Sequence, residues 1–149
     1  MASRLGDARL RFGHGTHDAR GEATFLALHV LKLSYESLQA SLGRRLSAAE
    51  RARLASLLAR RISTRLPAPY LTQEAWLGEY RFYVDRRVIV PRSFIAELLR
   101  AGLEPWLPQR VRSALDLCTG SGCLAVLLAK RFPEARVDAS DLSTDALAV

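Results

Sequence analysis

Asparagine does not occur once in the 149 residues of this chain, methionine occurs once, and only two of the 22 cationic residues are lysine. Cysteine occurs twice, at Cys118 and Cys123. No apolar run approaches the roughly 18–20 residues that a membrane span needs. Met1 to Arg11 is mixed and charged and contains no signal-peptide core. Two cysteines without an export signal read as a cytoplasmic chain with reduced thiols. A metal is not expected. His14, His17 and His29 have no cysteine close by and only Asp18, next to His17, as an adjacent carboxylate, too few ligands for a metal. Two cysteines would need two further ligands, so Cys118 and Cys123 read as small buried thiols.

Acid is short in the first part of the chain. Up to Arg110 there are 18 Lys/Arg against 10 Asp/Glu, and after it 4 against 5. That excess suits an anionic partner such as RNA or a ribosomal particle. Arginine-rich codon usage is the plain alternative, because 20 of the 22 basic residues are arginine. The paired arginines Arg44-Arg45 and Arg60-Arg61 read as a solvated helix face.

The remaining pattern is helical first and mixed later. Ala19, Ala23, Leu26, Ala27, Val30 and Leu31 recur at helical spacing. A second helix is expected over Tyr35 to Leu42, stopped by Gly43. Ser47-Ala48-Ala49-Glu50 is a capping box, and the helix it opens should end at Pro67 and Pro69. This predicts a small helical bundle over 1–68. From 69 to 110 the chain should form a β-hairpin and a linker helix. Its two runs, Tyr80 to Val84 and Val88 to Val90, are separated by the polar Asp85-Arg86-Arg87. Trp76, Tyr80, Phe82 and Tyr83 suit packing of that hairpin better than stacking on nucleic-acid bases. Ser93 is a candidate N-cap, and Gly102, Pro105 and Pro108 mark a linker.

Over 111–149 strand and helix alternate. Ser113–Leu117 and Arg136–Ser140 read as strands, Cys123–Arg131 as a helix, and Asp141 to Val149 as the start of another. The fold class is therefore α/β: a helical bundle, a hairpin, then the first two parallel strands of a Rossmann-like sheet. Two such strands are too few to cover their own apolar faces.

The chemistry concentrates at Asp116-Leu117-Cys118-Thr119-Gly120-Ser121-Gly122, followed by Asp141. Glycines at a strand-to-helix turn let the backbone approach a ligand at a helix N-terminus. A carboxylate at the end of the next strand can accept from both hydroxyls of a ribose. Gly120-x-Gly122-x-x-Ala125 also fits a dinucleotide fingerprint. However, Asp116 would repel a diphosphate and attract the cationic S-adenosylmethionine. A glycine turn that packs and binds nothing is the remaining alternative.

These residues, with Pro69-Tyr70-Leu71-Thr72-Gln73-Glu74-Ala75-Trp76 and Val88-Ile89-Val90-Pro91-Arg92-Ser93, closely resemble the bacterial protein-(glutamine-N5) methyltransferases. Arg92 followed by Ser93-Phe94-Ile95-Ala96-Glu97, together with Phe12-Gly13-His14-Gly15-Thr16 and Glu22-Ala23, resembles the branch acting on ribosomal protein L-three. Phe94 and Gly21 depart from that branch and do not touch the glycine turn. The release-factor branch is the alternative, and a non-catalytic basic module binding ribosomal RNA or protein is another.

The resemblance implies S-adenosylmethionine as cofactor, held by Asp116, Thr119, Gly120, Gly122 and Asp141. It implies Pro91 and Arg92 at the mouth of the substrate cleft, and a helical domain that recognises the protein substrate. The partner implied is ribosomal protein L-three before or during ribosome assembly, with ribosomal RNA contact through the basic N-terminal part. The family's Asn-Pro-Pro-Tyr, which grips the substrate amide by positioning it, has no counterpart here, since the chain has no Asn. The chain thus reads as an N-terminal fragment, inactive alone and with no catalytic residue of its own.

Overall fold

The structure is a computed structural model that describes residues 1–103, 106–107 and 110–149. Pro105 and Pro108 of the expected linker lie outside the described residues. Two compact units divide between Thr72 and Gln73. The segments 73–110 and 111–149 thus fall in one unit, while residues 69–72 go with the bundle.

The first unit is helical throughout. Helix α1 spans Ala2–Asp7 and α2 spans Ala19–Leu31, where the Asp18 side chain accepts from the Gly21 amide as N-cap. Helix α3 is reduced to Leu38–Ser41, ahead of Gly43 at φ +85°. Helix α4, Ala48–Thr64, opens on the Ser47/Glu50 capping box, with both reciprocal hydrogen bonds in place. It ends at Arg65 in the left-handed region rather than at the prolines. Pro69 belongs instead to a short helix α5, Ala68–Thr72. A proline is tolerated in the first turn of a helix because its missing N–H would have no intrahelical partner. One apolar cluster joins Leu5, Leu10 and Leu58, and another joins Phe25, Leu26 and Ala68.

The second unit begins with the hairpin, but its turn is not where the polar break suggested. Strands β1, Glu74–Leu77, and β2, Tyr80–Tyr83, pair antiparallel with Leu77 opposite Tyr80. The two-residue turn is therefore Gly78-Glu79. Gly78, at φ +64°, supplies the left-handed conformation that a type II′ turn needs first. Asp85-Arg86-Arg87 forms a separate turn, closed by the Val88 amide donating to the Asp85 carbonyl. Val88 to Val90 then run outside any strand. Tyr80 and Phe82 pack on a core of Leu77, Ala96, Leu99, Cys123 and Leu127, whereas Trp76 and Tyr83 on the other face are exposed.

Helix α6, Phe94–Ala101, is capped by Ser93, whose hydroxyl accepts from the Ile95 amide at 3.2 Å. Strands β3, Ser113–Leu117, and β4, Arg136–Ser140, pair in parallel around the crossover helix α7, Cys123–Arg131. Helix α8 is short, Thr144–Leu147. The face of β3 that carries Asp116 is buried, while Leu115 and Leu117 on the other face are 60% and 70% exposed. Period-two alternation explains the contrast: α7 covers one side only.

Candidate functional site

The end of β3 and the end of β4 are tied together first. The Thr119 amide donates to the Ser140 carbonyl at 2.9 Å, so the glycine turn leaves the sheet beside the end of the next strand. Gly120 and Gly122 both lie at positive φ, +59° and +76°. A Cβ at either would meet no heavy atom within 4 Å. The requirement for glycine is conformational, and the space above the turn is open.

Asp141 closes the arrangement. One carboxylate oxygen accepts from the Gly120 amide at 2.8 Å and the other from the Ser143 amide at 2.9 Å. These amide bonds, Ser143 first and Gly120 second, lower its pKa and keep it ionised. The Leu142 amide contributes as well. A carboxylate has about four acceptor positions, so the group keeps capacity for a donor from outside, such as a hydroxyl.

Asp116 has a different place from the one its charge suggested. It is buried and does not line the cleft. Its Oδ2 accepts from the Thr119 hydroxyl and, at 3.0 Å, from the Ala125 amide. Gly122, the N-cap of α7, has no side chain with which to cap the helix. Asp116 reaches across from β3 and satisfies one of the orphan N–H groups there. Its negative charge thus stands behind the turn, and the turn's geometry depends on it.

A cleft of about 390 Å³ lies over the turn. Thr119, Gly120 and Asp141 line it together with Pro91, Arg92 and Cys118. That size falls within the range of small-molecule sites, about 300–1,000 Å³. The structure therefore brings Pro91 and Arg92 to the same cleft as three residues of the turn and its acid. Gly122 and Asp116 shape it from outside. An open glycine turn and an acid with acceptor capacity to spare, in a cleft that Arg87 and Arg92 also line, fit an adenosine-bearing cofactor such as S-adenosylmethionine.

Two features of the site were not legible. Cys118, expected as a buried thiol, is exposed and sits at φ +61°, which is unusual for a residue with a Cβ. Ser143, which both donates to Asp141 and caps α8 through the Ala146 amide, has a local signal in Asp141-x-Ser143. Cys123 is buried, as expected, and burial pushes its thiol pKa up. Among the described residues no group of three or more His, Cys, Asp or Glu is placed to hold a metal. Among the same residues no helix is long and apolar enough to cross a membrane.

Comparison with known proteins adds the following. Residues 4–72 match the PrmC N-terminal domain. A ribosomal protein uL3 glutamine methyltransferase from Bordetella pertussis is 56% identical over 99% of this chain and 50% of its own length. Proteins of the same description from Burkholderia pseudomallei and Neisseria gonorrhoeae are 54% and 52% identical over 99% of the chain. They are covered to 48% and 50% of their lengths, so the chain spans about half the length of the curated relatives it matches.

Proposed function

We propose that this chain, which carries a PrmC N-terminal domain and resembles the protein-(glutamine-N5) methyltransferases along nearly its whole length, supplies the substrate-recognition unit and part of the cofactor cleft of a uL3 glutamine methyltransferase. The observation that carries this reading is the 2.8 Å bond from the Gly120 amide to Asp141, which fixes an acid against an open glycine turn in one cleft.

When bound, S-adenosylmethionine supplies the methyl group that is transferred to a glutamine side-chain nitrogen. The chain's own residues hold and orient. Asp141 accepts from the ribose through its remaining acceptor capacity. Gly120 and Thr119 let the ligand lie against the backbone. Asp116 keeps the turn in shape and adds negative charge behind a cationic ligand. Pro91 and Arg92, which line the same cleft, mark where the glutamine side chain enters. No residue of this chain is assigned the grip on the amide, and alignment of that nitrogen is worth several orders of magnitude in rate. The 149 residues alone are therefore inactive in this reading. The substrate is uL3, met in the cytoplasm before or during assembly of the large subunit.

The test is a chimera in which these 149 residues are continued by the C-terminal half of the Bordetella pertussis relative. With labelled S-adenosylmethionine and unmethylated uL3 it should label a glutamine, and the 149-residue chain should not. Asp141→Ala in the chimera should weaken cofactor binding by about 1–3 kcal/mol, the cost of losing hydrogen bonds to a charged group. Unchanged affinity by calorimetry would remove Asp141 from the cofactor site.

A further inference from the structure

The net charge of the molecule belongs to one unit. Residues 1–72 contain 12 Lys/Arg against 5 Asp/Glu, whereas residues 73–149 contain 10 of each. Arginine is similarly abundant in both, 11 in the first unit and 9 in the second, and the difference lies in acid. Arginine-rich codon usage would raise arginine in both units and would not remove acids from one. The asymmetry therefore has another cause.

The charge also has a location. From Arg44 to Arg65 there are seven arginines and a single acid, Glu50. One of the seven, Arg61, is buried against Glu22. The other six, Arg44, Arg45, Arg51, Arg53, Arg60 and Arg65, are exposed, though Arg44 is ion-paired with Glu50 and Arg65 donates to the Arg9 carbonyl. Arg53 and Arg60 are two turns apart on α4, so they project from one side about 10 Å apart along the axis. The exposed residues between and beside them are small: Ala52, Ser56 and Ala59. Nothing bulky keeps a broad charged surface from lying along this face.

A ribosomal protein is a poor electrostatic match for it. Proteins that coat ribosomal RNA carry positive charge themselves, and like charges raise the cost of association. RNA offers a regular row of phosphates, and the planar fork of arginine matches phosphate better than lysine does. We propose that the exposed face of α4, with Arg44 and Arg45 at its start, docks the phosphate backbone of RNA. The purpose of this docking, holding the protein on an RNA-bearing precursor rather than on free uL3, rests on the proposed function; the docking itself does not.

The experiment measures anisotropy of a labelled 20-base-pair RNA duplex with the 149-residue chain, without cofactor or uL3, as KCl is raised from about 50 to 200 mM. Binding should weaken steeply with salt, because cations on the protein displace condensed counterions. Arg53→Glu/Arg60→Glu should weaken binding at least tenfold and flatten the salt dependence. Arg53→Gln/Arg60→Gln should do the same to a smaller degree, with an unchanged circular dichroism spectrum. Arg86→Glu/Arg136→Glu, the same charge change in the second unit, should alter affinity less than twofold. Equal loss in the two charge-reversed proteins, or no binding at 50 mM, overturns the proposal. So does competition by a polyglutamate of equal charge as effective as that by unlabelled RNA, which would point to an acidic protein instead. None of these outcomes bears on methyl transfer.

Discussion

Arg61 and Glu22, 39 residues apart in sequence, form an ion pair inside the helical unit, with Nε donating to Oε1 at 2.7 Å. Both side chains are almost fully excluded from solvent. The guanidinium donates further to the carbonyls of Arg65 at 3.0 Å and Arg11 at 3.1 Å. One side chain thus binds α2, the end of α4 and the segment after α1. Sequence pattern placed Arg61 on a solvated face beside Arg60, and that reading is overturned: only Arg60 is exposed. A buried arginine keeps its charge and must find acceptors, and here it has Glu22 and two backbone carbonyls.

Removing one partner should therefore be costly. Glu22→Met and Arg61→Met should each lower unfolding stability by about 3–5 kcal/mol, because an uncompensated charge or orphaned acceptors stay buried. The double substitution Glu22→Met/Arg61→Met should recover much of that loss. Urea unfolding of the four proteins checks this. Additive losses in the double variant would mean that the two residues act separately.

The two thiols should differ sharply in reactivity. Cys118 is exposed, and Cys123 is buried with its pKa raised first by desolvation. Thiolate is the reactive form. A disulfide reagent at pH 8 should modify one thiol quickly and the second only on unfolding. Cys118→Ser should abolish the fast phase and Cys123→Ser should preserve it. A fast phase that survives Cys118→Ser would contradict the placement of both residues.

What the sequence made legible was local. The Ser47/Glu50 box needs residues three apart, and it forms as read. Strand Ser113–Leu117, helix Cys123–Arg131 and strand Arg136–Ser140 appear with the expected limits, because each is bounded by its own glycine, proline or polar turn. The misses are cases where a distant partner decides. The burial of Arg61 depends on Glu22, and the cap of α7 comes from Asp116, nine residues before Ala125. The hairpin turn was misplaced for another reason. Asp85-Arg86-Arg87 does make a turn, but Gly78 supplies the positive φ that joins paired strands. The nearness of Thr119 and Gly120 to Asp141 was legible because a glycine turn and the next strand end are adjacent in any β-α-β unit.

The capping box gives the bundle a defined acid sensitivity. Glu50 has its pKa lowered from 4.5 to about 2, first by the Arg44 guanidinium and then by the Ser47 amide. A carboxylate with a depressed folded pKa stabilises above its unfolded value, and that stabilisation fades as pH falls toward the folded one. The melting temperature of the native chain should exceed that of Glu50→Gln by a constant margin above about pH 5. The margin should shrink between about pH 4.5 and 2. A margin independent of pH would show that the charge of Glu50 adds nothing beyond the hydrogen bond a glutamine also makes.

Gly122 separates backbone strain from steric exclusion. Its φ is +76°, and a Cβ there would touch nothing within 4 Å. If conformation alone demands glycine, the cost of substitution follows the difficulty of the left-handed region, not side-chain volume. Gly122→Ala should destabilise by about 1–2 kcal/mol. Gly122→Asn should cost less although asparagine is larger, because its short polar side chain tolerates this region. Gly122→Val should cost most, since β-branching disfavours positive φ. Denaturant unfolding of the three variants gives the order directly. Asparagine falling between alanine and valine, or beyond valine, would show that volume decides, and that the space over Gly122 is filled rather than open.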